Sequence, residues 1–467
     1  MNVIFGKADT FGFWVYNRVL MTSTQRLVFI GAVLAFGISQ APADIPAVRE
    51  EVHQWQLSDV IKIALESNPD LKSAEANYEA TSKTVMEAIS GYLPQLNLSA
   101  GINQTNLPSP SAGASSQVGI KLTYSSAIFS LSQTLFDFGK VLSQINANRA
   151  QTDSAEQQSL VVKYAVQVAV ERAFYNVIAN QKLLEAAKRS EDQFQETYRR
   201  TSVLVSSGTK PSFDLTQAKV QLAKAKLGEI NAQNFVDLSR IALINLMGIS
   251  DDVAFELKEP EKYNSPPSSS MDLKDLQNKA LQFRPEMKSS EFAVKQARFQ
   301  LHGVMTQYLP TLSFLGYYGT YQPNYPVEIR TAYSAGLGLT WNLFDGLNTT
   351  SRVGELSYRL DQQESLQDRE KDSIFAEVAS DYKELIRSES QLEVADDALA
   401  SARENSQLAN KRYQASVATI LELLVAESSL IESEGAAIQA KYQRQIALAQ
   451  LRKAVNAPLT TTPSVTQ

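Results

Sequence analysis

From about Lys140 to Ser206 the chain has no proline or glycine, and apolar residues recur at helical spacing through Val166, Val170, Phe174, Val177 and Leu184. A second stripe, Leu160, Tyr164, Val168 and Tyr175, runs along the same segment. Two apolar seams predict a long helix held by neighbours on both sides. A twin extends from about Thr350 to Ala415, through Ile374, Val378, Tyr382, Leu385, Leu392 and Leu399. At about 1.5 Å per residue each helix would reach on the order of 100 Å. A plain coiled-coil bundle would also have such helices, but it gives no reason for what lies between them.

Between them the period changes to two. Tyr333, Ala335, Leu337, Leu339, Trp341 and Leu343 alternate with Ser334, Gly336, Gly338, Thr340 and Asn342. The segment before it, Leu312 to Tyr321, holds Phe314, Tyr317, Tyr318 and Tyr321. In the first half Phe129, Leu131 and Leu135 alternate with Ser130, Ser132 and Thr134, preceded by Leu96-Asn97-Leu98-Ser99-Ala100. The pattern predicts two strand pairs, within about 95–138 and 311–344, joined by Ser/Pro/Gly-rich loops at 106–117 and 322–330. Strands that are greasy on one side and small and polar on the other suit a membrane barrel with a wet lumen. A soluble sheet packed on the helices is the competing reading. Trp341, Tyr317 and Tyr318 are candidate membrane-interface anchors, with core packing as the alternative.

Four strands cannot close a barrel, since the smallest bacterial ones have about eight. Unpaired backbone in hydrocarbon costs several kcal/mol per group. If the strands span a membrane, several copies must therefore share one barrel.

The chain also says nearly the same thing twice. Leu57-Ser58-Asp59, Ala64-Leu65, Asn68-Pro69 and Tyr92-Leu93-Pro94 return 216 positions later as Leu273-Lys274-Asp275, Ala280-Leu281, Arg284-Pro285 and Tyr308-Leu309-Pro310. Further on the offset is 208: Leu135-Phe136-Asp137 matches Leu343-Phe344-Asp345, and Asp214-Leu215 matches Glu422-Leu423. The chain reads as two helix–strand–strand–helix repeats, 44–248 and 271–456, with a proline-bearing linker at 249–270 and a polar tail at 457–467.

Composition narrows the function. The 467 residues are 44% hydrophobic and 20% charged, neither disordered nor a multi-span helical membrane protein. The formal net charge of -6 argues against nucleic acid as a partner. There is no cysteine, which excludes disulfides, thiolate chemistry and a lipidated N-terminal cysteine. The two histidines, His53 and His302, stand alone in sequence and are expected to be structural or on the surface. Arg26, the apolar run Leu27 to Ile38 and Ala41-Pro42-Ala43 form a secretory signal ending at about residue 43, with Met21 as an alternative start. The run is too short to span a bilayer of about 30 Å. No catalytic constellation, phosphate loop or metal cluster is visible, so the chain reads as a conduit needing no cofactor, not as an enzyme.

The paired Tyr-Leu-Pro and Leu-Phe-Asp junctions, in register in both halves, resemble the TolC-like outer-membrane channel family, the exit ducts of tripartite efflux pumps and type I secretion systems. The resemblance covers about Gln56 to Asn456. It implies a mainly α fold with a β-barrel portion: a homotrimer whose four strands per chain form one twelve-stranded barrel in the outer membrane, continued by a periplasmic α-helical barrel. It also implies a periplasmic membrane-fusion adaptor and a proton-driven or ATP-driven inner-membrane pump as partners.

In that family the helix turns farthest from the strands form the periplasmic tip. Here those turns are Ser206 to Asp214 and Tyr413 to Glu422. The resemblance makes Glu422 and Asp214 gate candidates, and Gly208, Thr209, Ser416 and Thr419 adaptor-contact candidates. Val425 stands where a second gate acid would be, and Ala418 replaces a basic residue that some relatives use to latch the tip. Plain local chemistry competes: Thr419 to Glu422 is a capping-box pattern, Asp214 lies in a first helical turn, and the remainder are turn residues. The leading expectation is an efflux exit duct. A type I protein-secretion duct has the same anatomy, and a periplasmic coiled-coil scaffold without a pore is the alternative of a different class.

Overall fold

A computed structural model describes residues 53–108, 119–249, 255–260, 267–322 and 329–456. The signal segment, the choice between Met1 and Met21, the tail at 457–467, most of both strand loops and parts of the linker lie outside the described residues.

The first repeat contains helices α1 (Leu57–Ser67) and α2 (Pro69–Ile89), strands β2 (Gln95–Pro108) and β3 (Gly119–Phe136), and helices α3 (Lys140–Ser206) and α4 (Ser212–Met247). The second contains α5 (Leu273–Phe283), α6 (Pro285–Met305), β5 (Thr311–Gln322), β6 (Arg330–Thr340), α7 (Asn348–Gln414) and α8 (Ile420–Val455). Twin helices have the same length: 11 residues for α1 and α5, 21 for α2 and α6, 67 for α3 and α7, and 36 for α4 and α8. The shortening of the offset from 216 to 208 therefore falls in the strand hairpin, whose strands are 14 and 18 residues in the first repeat but 12 and 11 in the second.

Positive φ follows the same rule. Phe138 and Gly346, Gly139 and Leu347, Gly208 and Ser416, and Gly248 and Asn456 each pair at the 208 offset, one glycine to each pair. Left-handed backbone costs a residue with a side chain roughly 1 kcal/mol or more. The bends are thus set by the fold and tolerated by the side chain.

The long helices pair as α3 with α4 and α7 with α8, and α3 also packs on α6 and α8, joining the repeats. Around α1 the core is built from Val60, Phe174, Val177, Leu243 and Met247. Around α5 it is built from Ala280, Ile374, Val378, Leu385 and Leu451. Each large side chain buried there contributes about 1.5–3 kcal/mol of transfer free energy.

One strand pair joins the start of the first repeat to the segment expected to be linker. β1 (His53–Trp55) pairs in parallel with β4 (Phe255–Leu257), and Trp55 stacks on Phe255 with centroids 4.6 Å apart. Three residues are too few to show a period, and the partner is about 200 positions away.

The other four strands form one antiparallel sheet in the order β2-β3-β5-β6. The hairpins of the two repeats join through β3 and β5, while β2 and β6 are edges with no further partner among the described residues. One row across the sheet is Leu98, Phe129, Tyr318 and Tyr333, and the next is Asn97, Ser130, Tyr317 and Ser334. Side chains alternate along a strand, so these rows belong to opposite faces. The first face also carries Leu96, Ile102, Leu337 and Leu339, all exposed, and Tyr333 is 79% exposed. The greasy face is not packed on the chain's own helices, which removes the soluble-sheet reading.

The three aromatic anchor candidates are placed differently. Only Tyr318 shares the greasy face, and Tyr317 stands among serines on the other. Trp341 is not in the strand. β6 ends at Thr340 opposite Thr311, and the next partner would be Pro310, which has no N–H to give. The Trp341 indole instead donates to the Tyr308 carbonyl at 3.0 Å and remains 56% exposed.

Candidate functional site

The junction between sheet and long helices brings the two sequence motifs together. Tyr92 of Tyr-Leu-Pro donates its hydroxyl to Asp137 of Leu-Phe-Asp at 2.8 Å. Asp137 is buried, and it also accepts from the Gly139 and Val141 amides at 3.0 and 2.7 Å, satisfying the open start of α3. Burial first, then the hydrogen bond to Asp137, pushes the Tyr92 phenol above its usual range. In the second repeat Asp345 accepts from the Thr349 amide at 2.8 Å and from its hydroxyl at 2.5 Å, which holds the carboxyl below its usual range. Tyr308 donates to Thr350 at 3.1 Å. One acid at the foot of each hairpin thus caps the start of the long helix that follows. Of the two histidines, His302 Nδ1 lies 2.8 Å from the Ser143 hydroxyl, a contact between α6 and α3, and His53 lies in β1.

At the far end the two helix turns have one geometry. In the first, the Gly208 amide donates to the Val205 carbonyl and the Thr209 amide to that of Leu204; in the second, the Ser416 amide donates to Tyr413 and the Val417 amide to Arg412. These are paired C-terminal caps around a left-handed residue. Gly208, Thr209, Ser416 and Thr419 are all exposed. Beneath them Phe194, Leu222, Tyr413, Ile420, Leu423 and Leu424 form a small core, with Ala418 buried against it.

The two gate candidates part company here. Glu422 is exposed. Its amide donates to the Thr419 hydroxyl at 3.2 Å, its carboxylate accepts from the Thr419 amide at 3.4 Å, and Arg412 lies 3.7 Å away. The capping box and an acid available to solvent coexist in one side chain. Asp214 is only 8% exposed, close enough to the Tyr413 hydroxyl to help burial raise its pKa. Its carboxylate is thus buried within the chain, where that of Glu422 is open to solvent.

Sequence reasoning missed the buried ions. Glu427, 3% exposed, accepts from the Thr197 hydroxyl at 3.3 Å, and burial pushes its carboxyl up. Glu171 pairs with Arg452 at 3.1 Å across α3 and α8. Arg284, also 3% exposed, joins Glu286 and Glu377, and Lys453 reaches Glu377 at 2.9 Å. Apart from Glu286, two positions from Arg284, the partners lie tens to hundreds of positions apart, and nothing local announces them.

No helix among the described residues is long and apolar enough to cross a membrane. Residues 60–249 and 276–457 match the family model for the outer membrane efflux protein, most of both repeats. The chain belongs to the outer membrane efflux protein family. Among relatives of this outer membrane efflux protein, the probable efflux pump outer membrane protein TtgC of Pseudomonas putida is 22% identical over 411 residues, 85% of this chain and 82% of the relative. The alkaline protease secretion protein AprF of Pseudomonas aeruginosa is 24% identical over 418 residues, 87% of this chain and 85% of the relative. The solved outer membrane protein VceC of Vibrio cholerae superposes with a TM-score of 0.73 at 19% identity, covering 86% of this chain and 97% of that one. An outer membrane efflux protein belongs to a transport family and not to an enzyme family. It resides in the outer membrane, with its large helical portion in the periplasm.

Proposed function

We propose that three copies assemble into a passive exit duct, which receives substrates from a periplasmic adaptor and an inner-membrane pump and releases them outside the cell. The observation that carries this reading is the open sheet: its greasy face is exposed, and β2 and β6 have no further partner among the described residues. Hydrocarbon does not tolerate such edges, and joining β6 of one copy to β2 of the next removes them. The small-polar face then lines a wet passage. An exposed apolar seam on α4, including Val220, Leu227, Phe235, Leu238 and Ile241, supports lateral contact between copies below the sheet. Glu422 is the residue assigned to the gate, and Gly208, Thr209, Ser416 and Thr419 to the adaptor. The likeness to AprF supports protein secretion as a second substrate class for the same duct.

The test is extraction followed by electrophysiology. A duct requires detergent for release, migrates with the mass of three chains and gives ion conductance in planar bilayers. A monomer released in the aqueous periplasmic extract would mean a scaffold without a pore.

A further inference from the structure

We propose that each copy meets the next through a salt bridge between Asp397 of α7 and Lys226 of the following copy's α4. This bridge is the charge-reversed counterpart of one inside the chain, and the reversal keeps the two kinds of helical hairpin alternating around the duct. The inference rests on the conduit reading, because only copies laid edge to edge bring these helices together.

The order of the helices supplies the surface. Away from the sheet, α4 packs chiefly on α3, α3 on α8 and α8 on α7, so α4 and α7 stand at the two ends. The sheet ends in the same way, with β2 of the first repeat at one edge and β6 of the second at the other. The edge that carries β6 to β2 of the next copy therefore also carries α7 to its α4. Helix α4 is shaped for a neighbour on each side. Ala218, Leu222 and Val236 are buried along one side, and Val220, Leu227 and Leu238 are exposed along the opposite one.

The internal seam is the template. Across α3 and α8, Arg189 meets Glu434 at 2.6 Å. Moving each residue by the 208 offset of the repeats turns α3 into α7 and α8 into α4, and the pair becomes Asp397 and Lys226. Positive and negative have changed places. Both residues are exposed, and among the described residues neither has a salt bridge or a side-chain hydrogen bond, although Lys226 lies near Glu191 of α3. Two further polar contacts of the internal seam transpose without conflict. Thr197 with Glu427 becomes Asn405 with Lys219, and Glu171 with Arg452 becomes Ala379 with Ile244.

The reversal discriminates. Two first-repeat hairpins laid side by side, α3 against α4, would bring Arg189 against Lys226. Two second-repeat hairpins would bring Asp397 against Glu434. Both arrangements oppose like charges, whereas strict alternation places opposite charges at every seam. An exposed ion pair adds little affinity, so its effect is on which helix is accepted.

The experiment uses the full-length protein in detergent, and the sequence has no cysteine to interfere. Lys226→Cys combined with Asp397→Cys, treated with a short bismaleimide, should give bands of two and three chains on denaturing gels, and neither single variant should. Lys226→Glu alone and Asp397→Lys alone should each lower the yield of assembled oligomer by about threefold to tenfold, and the two together should restore it. The deficit of each single variant should shrink in high salt. Wild-type oligomers that conduct, while the double-cysteine variant links nothing, the single reversals change nothing or the double reversal fails to rescue, overturn the pairing alone. A wild-type protein that stays a monomer in detergent overturns the conduit reading, and the pairing with it.

Discussion

Asn68 and Arg284 stand at the same point of the two repeats and reach the equivalent carbonyl. Asn68 Nδ2 donates to the Leu246 oxygen at 2.7 Å, and Arg284 Nη1 to the Ala454 oxygen at 3.4 Å. Each precedes a proline that starts a helix, and each ties that start to the penultimate residue of α4 or α8. Asn68 also caps α2 by accepting from the Asp70 and Leu71 amides. Arginine has no acceptor with which to do this, and the second repeat holds the same joint with Glu286 and Glu377 instead.

The two joints should fail unequally. Arg284→Ala leaves two carboxylates without their buried partner and should cost on the order of 3 kcal/mol. Asn68→Ala removes a cap and one further hydrogen bond, roughly 1–2 kcal/mol. Thermal loss of helical circular dichroism in detergent ranks them, and equal shifts would contradict the ionic account.

The same joint should respond to acid in an unusual direction. Burial, and then the neighbouring Glu377, pushes the Asp381 carboxyl up to about 6. A folded pKa above the unfolded one gives stability that is complete below the unfolded value of about 3.9 and is lost as pH rises through about 6. Asp381→Asn should therefore raise the melting temperature at about pH 7.5, and the gain should vanish near pH 4. Glu377 is shifted downward, so its contribution has the opposite sign and is lost on acidification. A gain that persists unchanged into acid would count against the assignment.

The two faces of the sheet should tolerate charge differently. Leu337→Lys places an ammonium on the greasy face, at about 2–4 kcal/mol if it meets the bilayer midplane. Ser334→Lys, three residues earlier on the other face, should be accepted. The yield of assembled oligomer in the outer-membrane fraction reads the difference, and similar yields would mean that neither face meets lipid.

Glu422→Gln separates capping from gating. Glutamine at the third helical position still serves a capping box. Stability should hold while block of single-channel current by multivalent cations is lost, because a ring of carboxylates is what attracts them. Unchanged block would remove Glu422 from the gate.

At the tip turns, Ser416→Gly should raise the melting temperature, since the positive φ of 58° then carries no side chain. Gly208→Ala, at a φ of 75°, should lower it. Each effect is about 1 kcal/mol.

Much of this fold was legible because its signals are long. The proline-free run from Lys140 to Ser206 is α3 as the structure has it. The alternation about Leu337 revealed a strand, but not where it stops, because Pro310 on the partner strand decides that. Aromatic identity drew Tyr317 and Tyr318 together, whereas the pleat separates them, and only the pairing with Ser130 and Phe129 tells which faces which way. Asp214 lies near Tyr413 of the other helix turn, about 200 positions away, and the Arg284 joint rests on residues 93 and 170 positions away. Such meetings leave no periodic trace.

A protein containing two independently edited versions of one backbone carries its own control experiment. At four bends one version has dispensed with a side chain, and the other keeps phenylalanine, leucine, serine or asparagine. Exchanging residues between the versions asks whether each retained group is held for what it touches or merely endured, and no outside reference is needed for the answer.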